Sequence, residues 1–185
     1  MEYPKMIDER VSRKKYGKVI VERRFQLPNR KVIDYFVWGG TTIPSIVFPV
    51  TPNNKVIALG QFRYAINDVL VELPGGCLSR GRTATAEETA RNELKEETGY
   101  RAMSFRTLGQ PIWIDPANCV TPFIPVLATG CQKVSEPNLD ETEFAEVILY
   151  SLQDWISKIH DGKILDSKSI ATTFLALPHL GVGIG

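Results

Sequence analysis

Three glutamates, Glu93, Glu96 and Glu97, lie close together in the run Asn92-Glu93-Leu94-Lys95-Glu96-Glu97-Thr98-Gly99. On a helix turning about 100° per residue, Glu97 falls about 40° to one side of Glu93 and Glu96 about 60° to the other. Ala86, Ala90 and Leu94 share that side, so the acids continue the stripe that should face a core. Arg91 and Lys95 point the opposite way. Helical ion pairs join residues three or four apart, and neither Glu93 nor Glu96 has a cation at that spacing. Crowded carboxylates repel one another, and near a helix C-terminus the macrodipole disfavours them further. Oxygen-only donors suit a hard divalent ion, Mg2+ or Mn2+. The competing reading is an ordinary solvated helix face, and the helical geometry alone leaves both open.

The elements that must position these acids can be read around them. Thr85 with Glu88 fits a capping box, and Gly99 stands where a helix-closing glycine belongs. Upstream, 18–26 and 31–38 read as two strands of a hairpin around the turn Leu27-Pro28-Asn29-Arg30. Further strands are expected at 43–50, 55–62 and 68–73, the last stopped by Pro74-Gly75-Gly76, with a loop from Cys77 to about Ala84. Downstream, 105–108, 123–129 and 144–150 read as strands, and 151–159 and 167–177 as helices. Many strands with two or three helices imply an α+β or α/β/α sandwich.

Composition bounds the function. The chain has 185 residues, 22 Lys+Arg against 21 Asp+Glu, and 43% hydrophobic residues. That balance gives no general pull toward nucleic acid or an anionic membrane, and no apolar run approaches a membrane span. Residues 1–15 are polar and charged, unlike a secretory leader. Cys77, Cys119 and Cys131 have no metal or disulfide spacing, and the two histidines lie far along the chain. A reduced, cytoplasmic protein is expected, in which a general base is a carboxylate.

Gly75-Gly76, a loop, and a helix bearing Glu93-Leu94-Lys95-Glu96-Glu97-Thr98-Gly99-Tyr100 resemble the Nudix hydrolase signature. The segment from Ala58 to Gly76, with Gln61-Phe62-Arg63 and then Glu72-Leu73-Pro74-Gly75-Gly76, resembles the ADP-ribose pyrophosphatase branch of that family. A proline 16 residues past the box is a hallmark of the branch, and Pro116 occupies that place. The acidic stretch 140–143 and the N-terminal hairpin also fit. The resemblance implies a Nudix-type α/β/α sandwich, α+β in class, with a mixed sheet and an N-terminal β-hairpin extension. It implies a division into 1–52, a dimerising strand segment, and 53–185, the hydrolase domain.

The same resemblance implies hydrolysis of the pyrophosphate bond of ADP-ribose or a related nucleoside diphosphate sugar, dependent on Mg2+ or Mn2+, in a homodimer. Glu93, Glu96, Glu97 and the Gly75 carbonyl would be the metal ligands, with Glu97 also counted as catalytic. Glu141 or Glu143 would be the base, and Arg63, Glu72 and Pro116 would contact substrate. Trp113 is a candidate for stacking on a base or for a buried core position, while Trp38 and Trp155 are assigned to packing or the dimer interface. Three signature positions depart from the pattern. Asn92 stands where the box arginine belongs, and Ala84 and Leu78 stand where its first glutamate and glycine would fall. Val120-Thr121 replaces an acid pair that the branch often carries. These departures favour an alternative, a weak or inactive relative that binds a nucleotide or a partner.

Overall fold

The computed structural model describes residues 1–15, 17–77 and 84–183. Contacts divide the chain into two units, Met1–Ile43 with Trp113–Pro122, and Pro44–Ile112 with Phe123–Gly185. The strand after residue 44 pairs within the second unit.

The first unit is an antiparallel sheet of β1 (Lys5–Lys15), β2 (Lys18–Gln26) and β3 (Val32–Gly40), in that order. The hairpin expected from sequence is β2 with β3. β1 is an addition that its charged, exposed sequence concealed. Its register explains its stability: Glu9 faces Arg23 and Arg10 faces Glu22 across the β1–β2 pair, and both pairs close as ion pairs. Arg24 meets Asp34 the same way across β2–β3. Opposite charges directly across strands favour this register. Val21 and Val37, also cross-strand partners, are buried. Residues 113–122 join this unit through Trp38 N–H to the Asn118 carbonyl at 2.9 Å and Val120 N–H to the Trp38 carbonyl at 2.8 Å.

The second unit holds β4 (Ser45–Val50), β5 (Lys55–Arg63), β6 (Asp68–Glu72), β7 (Gly75–Gly76), α1 (Ala86–Thr98), β8 (Tyr100–Arg101) and β9 (Ser104–Thr107). After the short β10 (Ile112–Trp113), it continues with β11 (Pro122–Thr129), β12 (Gln132–Lys133), β13 (Ala145–Ser151), α2 (Leu152–His160) and α3 (Ser167–Ala176). Its sheet is mixed: β11 runs parallel to β4, and β13 and β6 flank β5 antiparallel. Every residue of β4 is buried, which is why its sequence Ser-Ile-Val-Phe-Pro-Val is almost continuously apolar. Alternate β4 residues turn to α1: Ser45 Oγ donates to the Ala86 carbonyl at 3.0 Å, and Val47 packs with Ala90, Leu94, Ile57 and Val126. α3 also packs on β4. The result is the α+β sandwich expected from sequence. Among the described residues, no helix is long and apolar enough to cross a membrane.

Candidate active site

α1 is fixed at both ends. Thr85 Oγ1 accepts from Glu88 N–H at 3.2 Å and the Glu88 carboxylate accepts from Thr85 N–H at 2.8 Å, which is the capping box expected from sequence. At the other end Gly99 adopts φ +73° and donates to the Lys95 carbonyl, a left-handed closure that favours glycine. The Gly99 carbonyl then accepts from Val134 and Ser135 N–H, and Asn138 N–H donates to the Glu96 carbonyl at 2.7 Å. These bonds lay the 134–143 loop across the C-terminal end of α1. Helix and loop thus face one another.

Between them lies a cavity of about 290 Å3. Glu93, Glu96, Glu97 and Asn92 line it from α1, Gly75 and Gly76 from β7, Gln61 and Arg63 from β5, and Asn138, Asp140 and Glu143 from the loop. Glu97 is buried, with only 5% of its surface exposed, and its carboxylate accepts from Gly75 N–H at 2.8 Å. Burial and then the charge of Glu93 push Glu97 well above the ordinary carboxylate range, against the pull of that hydrogen bond. Burial, followed by the charges of Glu96, Glu143 and Asp140, pushes Glu93 up to about 7. Gly76 is the seat of Glu93: a Cβ there would stand 2.7 Å from Glu93 Oε2. Only glycine lets this carboxylate lie so close to the β7 backbone.

Arg63 is the one cation among the described lining residues. Its Nε donates to Glu72 Oε1 at 2.6 Å, while 40% of its side chain remains exposed. Glu72 is buried beneath the cavity wall, not on it. Burial pushes its carboxyl up and the Arg63 bond opposes this, leaving a net rise. Arg63 pulls Glu97 down, but this one guanidinium, its Nε already engaged by Glu72, faces five cavity acids among the described residues.

The other sequence candidates sit elsewhere. Glu141 is exposed and does not line the cavity, whereas its neighbours Asp140 and Glu143 do. Glu143 N–H donates to the Asp140 carbonyl at 2.9 Å and its carboxylate accepts from Asp140 N–H at 3.2 Å, so the two form one tight turn. Pro116 lies in the first unit, in a groove with Phe25, Ile33, Tyr35 and Ala117. Trp113 is 54% exposed, which corrects the reading of it as a core residue. Trp155 is fully buried and its Nε1 donates to Thr173 Oγ1 at 2.9 Å, a packing role. Trp38 is exposed. Leu78 lies outside the described residues, as does most of the 77–84 loop. Gln61, Asn138 and Asp140 were not anticipated, since no spacing rule ties a β5 residue or a distant loop to the helix.

The carboxylates suit a hard divalent cation in donor chemistry, and the raised proton affinities of Glu93 and Glu97 mark negative charge that awaits compensation. Among the described residues no three acid, histidine or cysteine side chains already converge as an ion cage. The fit is thus one of donor type and charge.

Residues 42–172, most of the chain, match the NUDIX domain family. The chain belongs to the Nudix family. Among curated relatives of this Nudix protein, the ADP-ribose pyrophosphatase of Bacillus subtilis (strain 168) is 32% identical over 66% of this chain and 65% of its own length. The chain thus spans just under two thirds of that relative. A "Methanol dehydrogenase activator" of Bacillus methanolicus is 32% identical over 71% of this chain and 70% of its own. A GDP-mannose pyrophosphatase of Yersinia enterocolitica is 32% identical over 64% of each chain. Among solved structures, the "Crystal structure of ADP compounds hydrolase" superposes with a TM-score of 0.82, covering 98% of this chain and 96% of that one at 15% identity. At that identity the likeness is one of fold.

Proposed function

We propose that this Nudix protein hydrolyses the pyrophosphate bond of ADP-ribose or a related nucleoside diphosphate sugar, releasing a nucleoside monophosphate and a sugar phosphate. The observation that carries the reading is the cavity of unneutralised carboxylates, Glu93, Glu96 and Glu97 opposite Asp140 and Glu143. The names of the Bacillus subtilis and Yersinia relatives support the substrate class. Glu93, Glu96, Glu97 and the Gly75 carbonyl would hold Mg2+ or Mn2+. When bound, such an ion would screen the diphosphate and polarise its oxygens.

In this reading the chain's own residues divide the remaining work. Arg63, held flat by its Nε bond to Glu72, presents its outer nitrogens to a phosphate oxygen. Glu143 takes a proton from the attacking water, whose oxygen bonds to one phosphorus as the bridging P–O bond breaks and the electron pair leaves on the departing phosphate. Glu143 is preferred to Glu141 because it lines the cavity. Glu72 acts through Arg63. The protein works as a cytoplasmic homodimer built through 1–52.

A second reading, nucleotide or partner binding without turnover, is favoured by Asn92, which puts an amide in the cavity wall where the signature carries a cation. One experiment separates them. Phosphatase-coupled phosphate release is followed over a panel of ADP-ribose, ADP-glucose and GDP-mannose with Mn2+, for wild type and Glu143→Gln. Turnover lost in the variant supports hydrolysis. Calorimetric binding of the same compounds without turnover supports the second reading.

A further inference from the structure

A buried chain of polar groups leads from the far side of α3 to the site, and no step above uses it. Trp155 Nε1 donates to Thr173 Oγ1, which donates to the Ser169 carbonyl at 2.7 Å. Ser169 Oγ, fully buried, donates to Asp166 Oδ2 at 2.7 Å and accepts from Leu73 N–H at 2.8 Å. Asp166 caps α3 by accepting from Ser169 N–H at 2.9 Å, and its other oxygen pairs with Lys168. The Leu73 amide opens the turn Leu73-Pro74-Gly75-Gly76. That turn is fastened at two further points, Pro74 carbonyl to Val47 N–H at 2.9 Å and Gly75 N–H to Glu97 at 2.8 Å. It also forms the seat of Glu93. Three bonds from three elements, β4, α1 and α3, therefore fix one turn.

We infer that Ser169, oriented by Asp166, is a positioning residue of the site: it anchors the Leu73–Gly76 turn so that Gly75 N–H and the Gly76 backbone hold Glu97 and Glu93 in place. Buried backbone amides almost never go unpaired, and just past the end of β6 the Ser169 side chain supplies this pairing. Removing the hydroxyl strips Leu73 N–H of its acceptor in a dry site, where an unmet donor is costly. The turn must then shift to find another. α3 would thus govern acids that lie on another helix.

Thr172 supplies a matched control. It lies on the same helix, fully buried, and its hydroxyl finds no hydrogen-bond partner among the described residues. Thr172→Val removes a buried α3 hydroxyl without touching the turn. The test compares wild type, Ser169→Ala, Ser169→Cys and Thr172→Val, each checked for a cooperative melt, by amide hydrogen exchange in the cation-free protein. The expected result is exchange at Leu73 and Gly75 about tenfold faster in Ser169→Ala, an intermediate effect in Ser169→Cys, whose sulfur is a weaker acceptor, and none in Thr172→Val. If Ser169→Ala does not fold, Ser169→Cys carries the comparison. Exchange in the Ser169 variants equal to wild type, or equally faster in Thr172→Val, overturns the inference. A second arm rests on the pyrophosphatase reading: the Mn2+ concentration for half-maximal turnover should rise about tenfold in Ser169→Ala while KM for substrate holds. A wild type that turns over no substrate would refute that reading, and the exchange result would still decide the role of Ser169.

Discussion

Glu93→Gln tests the electrostatics of the cleft through stability, without any substrate. Glu93 ordinarily titrates near 4.5, and in the folded protein it is pushed up to about 7 by burial and by Glu96, Glu143 and Asp140. The folded state therefore holds this proton more tightly than the unfolded chain does. The stability it contributes is complete below pH 4.5 and is lost as pH rises through 7. The gap between 4.5 and 7 corresponds to at most about 3 kcal/mol. For a chain of this size that is about 6–12 °C in melting temperature. Glu97 shifts in the same direction, so cation-free wild type should melt lower at pH 8 than at pH 5.5 by at least this order. Glu93→Gln removes the Glu93 share: it should match wild type near pH 5 and exceed it by several degrees at pH 8. Scanning calorimetry in chelator across this range measures both. Adding Mn2+ at pH 8 should raise wild type, whose Glu93 is ionised there, and raise the variant much less. Parallel pH profiles for the two proteins would refute the reasoning.

Three further outcomes follow from the geometry. Gly76→Ala puts a Cβ 2.7 Å from Glu93 Oε2, so it should displace that carboxylate and abolish most of the Mn2+-induced rise in melting temperature while the fold persists. Arg63→Ala leaves buried Glu72 without its partner and should cost about 2 kcal/mol in urea unfolding, less than a fully buried pair because Arg63 is partly exposed; adding Glu72→Gln should recover part of the loss. Thr85→Ala removes the capping box and should cost about 1 kcal/mol in the same measurement.

Much of the framework could be read from sequence because its causes are local. Thr85 with Glu88, and Gly99, bound α1 through chemistry that acts within one turn, and 3.6-residue periodicity put Ala90 and Leu94 in the core with Glu97 beside them. β4 declared itself by continuous apolarity. β1 did not, since Lys5–Lys15 buries nothing and is held by ion pairs whose partners lie on the next strand. Trp113 reads as core by its size, yet stands exposed. Within the site, the helix acids were legible and their opposing wall was not. Asp140 and Asn138 reach the cavity because a loop docks on the end of α1, a contact no local pattern encodes. Glu72 shows the same limit: its spacing marks it, but only the fold reveals that it lies beneath Arg63.

If the α1 carboxylates make a cation-dependent pyrophosphatase site, ADP-ribose should be split only when a divalent cation is present. The most direct test is chromatographic detection of AMP and ribose 5-phosphate from ADP-ribose, with Mg2+ or Mn2+ and with chelator, for wild type and Glu97→Gln. The account predicts release that stops in chelator and falls at least about a hundredfold in Glu97→Gln. Equal rates in the two proteins, or release that persists without a cation, would contradict it.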